Sequence, residues 1–239
     1  MTDKPTIVLI HGSFADASGW GGVITRLQAQ GFTVFAPPNE LRTIESDAAY
    51  VRAFLGTIEG PVVLVGHSYG GAVITNAAVG APNVAALVYI AAFALDEGES
   101  VAQALDLSGV PQDLSQVVDI RPFPGSGEGN GDAYIKTEVF HQAFCQDLPD
   151  ELAAIMAVTQ RPGALASLGI PSGPAAWKTV PSWYLVASSD RVIPPESERI
   201  MAKRAGATTV EIDSSHVAMI SHPDEVTDLI LAAVAGVSA

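Results

Sequence analysis

The chain has 239 residues, which suits one α/β domain with a modest insertion and is enough to bury a large core. Its 12 lysines and arginines against 26 aspartates and glutamates give a net charge of −14 without any basic cluster, which argues against nucleic acid and anionic membranes as partners. No apolar run approaches the ~20 residues of a membrane span, and residues 1–5 lead into the first strand without a signal-peptide segment, so we expect a cytoplasmic protein. The single cysteine, Cys145, excludes an internal disulfide bond and fits a reducing compartment.

Short apolar runs alternate with segments of helical spacing in the first part of the chain. Strands are predicted over residues 6–10, 32–36, 62–65 and 85–91, and helices over 20–30, 46–55 and 72–79. Gly31 ends the first of these helices, and Ser46 is a suitable residue to begin the second. Such an alternation predicts a mainly parallel sheet with helices on both faces.

The alternation stops over residues 96–179 and then resumes. This stretch contains an irregular, Gly- and Pro-rich portion and helical patches at 133–144 and 148–158. Strands at 182–187 and 208–212 and helices at 195–205 and 223–234 follow it. We therefore predict a single α/β domain over residues 1–239, with a sheet of about six strands and a mostly helical cap inserted at 96–179.

The most informative motif is Gly-His-Ser-Tyr-Gly-Gly at residues 66–71. It follows the apolar run 62–65 and precedes a helix, so Ser68 lies at the apex of a strand–turn–helix arrangement. Gly66 and Gly70 are expected where neighbouring backbone approaches the turn too closely for a side chain. This context predicts that Ser68 is a nucleophile.

A serine nucleophile needs a histidine to take its proton and a carboxylate to orient that histidine. On this architecture the chain order is serine, acid and histidine, with the last two in loops after later strands. Asp190 follows the strand 182–187, and His216 follows the strand 208–212. We predict Ser68, Asp190 and His216 as the catalytic residues.

Other polar residues fit structural roles better. Asp213 and Asp224 lie too near His216 in sequence to come from the preceding strand end, while His222 suits a helix cap and His67 packing beneath the turn. The glycine-rich residues 125–131 lack the strand and the Lys-Ser/Thr pair of a phosphate loop. The acidic residues 96, 97 and 99 are typical of a solvated turn, so no metal site is predicted.

Acyl transfer also needs backbone donors for the oxyanion. The N–H of Tyr69, at the start of the helix after the nucleophile, is one candidate. The second should come from the loop after the first strand, where we choose Ser13 and hold Phe14 in reserve. His11 in that loop is expected to brace it.

These residues resemble those of the α/β-hydrolase superfamily over nearly all of the chain. A closer similarity is to the small esterases grouped with plant methyl esterases and hydroxynitrile lyases, and to their bacterial carboxylesterase relatives. It is carried by His11-Gly12-Ser13 with Trp20 downstream, by Gly-His-Ser-x-Gly-Gly, and by Asp190-Arg191-Val192-Ile193-Pro194. The resemblance implies a sheet without the first two strands of larger hydrolases, a mostly helical cap and no cofactor.

Two departures distinguish this chain from the lyases of that group. The lyases resemble one another in a threonine where this chain has Gly12, and in a lysine beside the catalytic histidine where this chain has Val217. Both differences favour ester hydrolysis over cyanohydrin cleavage.

We therefore predict a serine carboxylesterase that forms an acyl-enzyme with a small, uncharged ester. Phe14, Tyr69, Phe123 and Trp177 are predicted to line an apolar substrate pocket. No macromolecular partner is expected except a second copy, since a homodimer is compatible with these features. The alternatives are another reaction of the same triad (C–C hydrolysis, perhydrolysis, lyase action or cofactor-free oxygenation) and a ligand receptor on a hydrolase scaffold.

Overall fold

The computed structural model describes residues 4–110 and 116–237. The first part of the chain supplies four strands and three helices that alternate, namely β1 (Thr6–Ile10), α1 (Gly21–Ala29), β2 (Val34–Phe35), α2 (Ile44–Leu55), β3 (Val62–Ser68), α3 (Tyr69–Ala77) and β4 (Val84–Ala92). The helix α2 begins two residues before the predicted start at Ser46. The reason is Thr43, whose side-chain oxygen accepts the Ser46 N–H at 3.0 Å and caps the helix.

The cap residues form short helices and a small antiparallel sheet. The elements are α4 (Val101–Leu105), β5 (Val118–Arg121), β6 (Asp132–Ile135), α5 (Thr137–Phe144), α6 (Asp150–Thr159) and β7 (Gly163–Ala164). Among the described cap residues there are also the short 3-10 helices Asp106–Ser108, Leu165–Gly169 and Ala176–Lys178. The prediction of a helix from residue 133 is wrong at its start, because Ala133 pairs with Ile120 on one side and Gly163 on the other.

The last part of the chain returns to the main sheet with β8 (Ser182–Ala187), α7 (Pro195–Arg204), β9 (Thr208–Ile212), α8 (Ala218–Ser221) and α9 (Pro223–Val237). The six strands run in the order β2-β1-β3-β4-β8-β9, and every neighbouring pair is parallel. The predicted sheet of about six strands is thereby confirmed.

The sheet is buried on both faces, as its nearly continuous apolar strands require. Along β3, Val62 and Leu64 belong to one core, which includes residues of α2, α3 and α7, whereas Val63 and Val65 belong to the other, with residues of α1, α5 and α9. Because all six strands are parallel, their carboxyl ends meet at one edge, where open α/β sheets place their sites. Among the described residues, no helix is both long and apolar enough to cross a membrane.

Candidate active site

Ser68 lies at the end of β3 in a conformation that few non-glycine residues adopt. Its φ is 54° and its ψ is −125°, so the backbone turns sharply from strand to helix. A Cβ on Gly66 would lie 2.6 Å from the Gly70 carbonyl oxygen, and one on Gly70 would collide with the Ile10 carbonyl oxygen. The turn is therefore closed by backbone contacts that only glycine permits, and Ser68 is fixed at its apex.

Asp190 and His216 form a fully buried pair at the same edge of the sheet. Asp190 Oδ2 lies 2.5 Å from His216 Nδ1, and neither side chain has solvent exposure. The other oxygen, Oδ1, accepts the N–H groups of Val192 and Ile193 at 2.6 and 3.0 Å. The carboxylate is thus held by three donors, which orients the imidazole with Nδ1–H toward Asp190 and Nε2 free for another proton.

The loops that carry the acid and the base are joined to each other. Ser188 N–H donates to Ile212 O at 2.9 Å, and Ser189 N–H donates to Ser214 O at 3.2 Å. Asp147 of the cap accepts the Ser215 N–H at 2.8 Å, so the cap also holds the base loop. These bonds fix the position of His216 relative to Asp190.

The base loop is also joined to the nucleophile turn through His67. Its Nε2–H donates to the carbonyl oxygen of His216 at 2.8 Å, and the two rings lie 4.7 Å apart. Burial, with a smaller effect of His216, holds the pKa of His67 well below its ordinary value, so the ring is neutral.

In the described part of the chain, His216 Nε2 has no hydrogen-bond partner. No hydrogen bond joins Ser68 Oγ to this nitrogen among the described residues, and catalytic hydrogen bonds often tighten only when substrate is bound.

The backbone donors near Ser68 differ in their availability. Tyr69 is the first residue of α3, so its N–H has no partner within the helix. The reserve candidate, Phe14, donates its N–H to Arg161 O at 2.7 Å and is therefore occupied. No acceptor in the described residues takes the Ser13 N–H. The contact of this loop with Ser68 is so close that a Cβ on Gly12 would lie 2.6 Å from Ser68 Cβ.

His11 braces the loop that carries Ser13. Its Nε2 accepts the Asn39 N–H at 3.0 Å, so Nδ1 carries the proton and donates to Gly12 O at 2.9 Å. Burial lowers the pKa of His11, which keeps it neutral. The interpretation of His11 as a bracing residue agrees with these bonds.

A cavity of about 120 Å³ opens above Ser68 between the sheet edge and the cap. Its lining is mostly apolar, and Arg191 is the charged residue in it. The predicted residues Ser13, Phe14, Ser68 and Tyr69 are part of this lining. Tyr69 is anchored below, because its hydroxyl donates to the buried Asp47 carboxylate at 2.9 Å.

Two predicted pocket residues, Phe123 and Trp177, do not line this cavity. The Phe123 ring packs against the guanidinium of Arg42, 4.6 Å from its centroid. The Trp177 indole donates its N–H to Leu95 O at 2.9 Å and packs against the core beside α3. The prediction was wrong because cap folding directs these aromatic side chains elsewhere.

The cavity is lined instead by mainly aliphatic residues that sequence reasoning missed. Phe93 directly follows the end of β4, and Val192 lies in the loop after β8 that carries Asp190. Their positions after strand ends were therefore a usable signal. The others lie in cap elements with no such signal, and they include Val101, Leu105, Val118, Ile135, Leu165 and Leu168.

The competing polar residues have structural partners. Asp213 accepts the Ser189 hydroxyl at 2.6 Å, and Asp224 pairs with Arg26 on the surface. His141 lies in the cap between Leu148 O and Asp150, so it serves local structure. No group of three His, Cys, Asp or Glu side chains suited to a metal ion occurs within residues 4–110 and 116–237.

Comparison with known proteins agrees with this architecture. The chain is 28% identical to a pyrethroid hydrolase of Sphingobium wenxiniae over 94% of this chain and 85% of that protein. It is also 28% identical to methylesterase 17 of Arabidopsis thaliana, over 98% and 92% of the two chains. The crystal structure of polyneuridine aldehyde esterase superposes with a TM-score of 0.82 at 21% identity, over 96% of this chain and 99% of that one. These relatives confirm the predicted resemblance to plant methylesterases and bacterial esterases. Residues 7–229 match the model of the alpha/beta hydrolase family, and the chain therefore belongs to that family.

Proposed function

We propose that this protein is a serine carboxylesterase that cleaves small, uncharged esters through an acyl-enzyme. The observation that carries the proposal is the buried Asp190–His216 pair beside a strained Ser68 at the base of an apolar cavity. Relatives named as methylesterase, pyrethroid hydrolase and carbendazim hydrolyzing esterase support the same reaction class. No feature of the described residues favours one of the other triad reactions.

The first half of the reaction forms the acyl-enzyme. Ser68 Oγ attacks the ester carbonyl carbon while its proton passes to His216 Nε2. The N–H groups of Ser13 and Tyr69 stabilise the negative charge on the carbonyl oxygen, assisted by the N-terminus of α3. The bond to the alkoxy oxygen then breaks, and His216 gives its proton to that oxygen, so the alcohol leaves.

The second half regenerates the enzyme. Water gives a proton to His216 Nε2 as its oxygen attacks the acyl carbon. The bond to Ser68 Oγ breaks, the serine regains its proton from His216, and the carboxylic acid leaves. Asp190 stays ionised throughout and holds the imidazole in the required tautomer.

The cavity supports the assignment of an uncharged substrate. Its walls offer an acyl or alcohol group mainly aliphatic and aromatic contacts, which stabilise apolar groups, and the charged residue of the lining, Arg191, is already bonded to Gln142. Its volume of about 120 Å³ fits short acyl chains.

The test is a series of 4-nitrophenyl esters from acetate to octanoate. The wild type should hydrolyse the short esters and release a burst of nitrophenol when acylation is faster than deacylation. Ser68→Ala should lower kcat by about 10⁴-fold or more with the fold intact. Ser126→Ala, the same change in the cap loop outside the cavity, serves as the control. Failure of the wild type to hydrolyse any short ester would overturn the proposal.

A further inference from the structure

A second acidic residue, Glu198, lies directly behind the Asp190–His216 pair. It is in the first turns of α7 and has no solvent exposure. Its Oε2 accepts the N–H of Ala187, the last residue of β8, at 3.1 Å. The Glu198 carboxyl group is therefore held against the turn that carries Asp190.

The groups around Glu198 do not neutralise a negative charge on it. Asp190 faces it from the loop after β8, with His216 beyond, and Tyr184 of β8 lies near it with its hydroxyl donated to Ala92 O. The nearest cation on the same helix, Arg199, is directed to the surface, where it bonds to Glu211 and Glu196. Burial and the Asp190 carboxylate raise the pKa of Glu198 well above its ordinary value.

The hydrogen bonds show which carboxyl group carries the proton. Glu198 Oε1 receives no donor from the described residues, although the Glu198 and Asp190 carboxyl groups are within hydrogen-bond contact. Two carboxyl oxygens in contact need a proton between them. Asp190 already accepts from three donors and Glu198 from one, so the proton lies on Glu198.

We propose that Glu198 is a neutral acid whose O–H donates to Asp190, which makes it a positioning residue for the carboxylate behind His216. This role rests on the proposed esterase reaction. A neutral donor fixes the Asp190 oxygens without placing a second negative charge beside the imidazole.

Two substitutions separate this role from simple packing. Glu198→Gln keeps a neutral donor toward Asp190 and an acceptor for the Ala187 N–H, so kcat/KM should stay within about threefold of wild type, as expected when no hydrogen bond is lost. Glu198→Met keeps the volume but removes both bonds, and kcat should fall by about tenfold to a hundredfold, the range for a hydrogen bond to a charged group. KM should change little, because Glu198 does not line the cavity.

Glu196→Gln is the matched control, since it makes the same change on the exposed side of α7. The pH profile of kcat/KM gives a readout that packing alone would not move. Glu198→Gln should leave the midpoint of the acidic limb unchanged, whereas removal of an ionised glutamate would shift it down by about one pH unit or more.

The deciding measurement is carboxyl ¹³C NMR of protein labelled at glutamate, with the Glu198 resonance identified by its loss in Glu198→Gln. We expect a protonated carboxyl resonance at neutral pH, and an ionised one would overturn the proposal. Wild-type kcat in Glu198→Met would also overturn it. If that variant does not fold, the NMR spectrum and the Glu198→Gln profile still decide. An enzyme without ester turnover would overturn the proposed function, while the NMR result would still report on Glu198.

Discussion

The sheet edge and the cap contribute to the site in different ways. At the sheet edge the acid and the base are held by several directional bonds, Asp190 by three donors and His216 by bonds through its ring and its carbonyl oxygen. The cap contributes mainly aliphatic side chains to the cavity, from short helices and small strands. Directional bonds fix reacting atoms, whereas apolar contacts set the size of the group that fits. We therefore expect changes at the sheet edge to alter turnover and changes in the cap to alter substrate choice.

The largest expected effect is on the acid. Asp190→Asn should lower kcat by about 10⁴-fold, because the amide no longer holds His216 in the tautomer that accepts the serine proton. Asp213→Asn changes a neighbouring carboxylate that accepts the Ser189 hydroxyl and does not contact His216 Nδ1, so it should leave kcat nearly unchanged. Steady-state kinetics on 4-nitrophenyl acetate test both variants. Equal losses in the two would show that Asp190 has no special role.

The next effect concerns folding. Gly70→Ala places a Cβ against the Ile10 carbonyl oxygen, and we expect a loss of about 3 kcal/mol or more in the free energy of unfolding. Gly169→Ala in the cap meets no atom within 4 Å, so it should be neutral or stabilise by about 0.5 kcal/mol. Urea unfolding measures both values. A tolerated Gly70→Ala would mean that the turn is looser than its contacts indicate.

A smaller effect follows from the buried acid at the sheet edge. In the unfolded chain Glu198 has the ordinary glutamate pKa of about 4.3. In the folded protein its pKa is raised well above that value, so the folded protein keeps the proton at a pH where the unfolded chain has released it. Folding then takes up a proton at Glu198, so the contribution of this group to the free energy of unfolding falls as the pH rises. Glu198→Gln lacks that proton. As the pH rises, the free energy of unfolding of Glu198→Gln should therefore increase relative to that of the wild type by about 1.4 kcal/mol per pH unit, until Glu198 ionises in the folded protein.

Urea unfolding at about pH 5.5, 6.5 and 7.5 samples the range above the pKa of an unfolded glutamate. Glu196 is exposed on the same helix, so Glu196→Gln is the control. Its free energy of unfolding should differ from that of the wild type by the same amount at each pH. If Glu198→Gln also ran parallel to wild type, Glu198 would be ionised in the folded protein.

The smallest expected effect is in the cap. Leu168→Ala removes an aliphatic side chain from the cavity wall and makes room for a longer acyl chain. The preference for the hexanoate ester over the acetate ester should rise by roughly tenfold, the discrimination expected for one or two methylene groups. Leu152→Ala on α6 makes the same change outside this cavity and should not alter the preference. The ratio of kcat/KM values for the two esters is the measurement. An unchanged ratio in Leu168→Ala would place the acyl group elsewhere.

Sequence reasoning succeeded where local pattern decides the structure. The turn around Ser68 is a local feature whose glycines have local reasons, and chain order with strand ends was sufficient to select Asp190 and His216 for a common edge. The catalytic roles of these residues stay predictions until they are tested. Pocket residues were predicted less well, because Phe123 and Trp177 depend on how distant cap segments pack.

Glu198 shows a signal that was present but unused. Met201, Ala202 and Ala205 follow it at helical spacing and are buried, so this spacing places Glu198 on the core face of α7. What the spacing does not give is its partner, since contact with Asp190 depends on how α7 packs against the end of β8.

In the proposed mechanism Ser68 is the nucleophile, activated by Asp190 and His216. A fluorophosphonate probe forms a stable bond with an activated serine, and peptide mapping then locates it. The wild type should carry one adduct, on Ser68, with esterase activity lost in proportion to labelling, and Asp190→Asn should react far more slowly. An adduct on any other residue, or full ester turnover by an enzyme that the probe does not label at Ser68, would contradict the account.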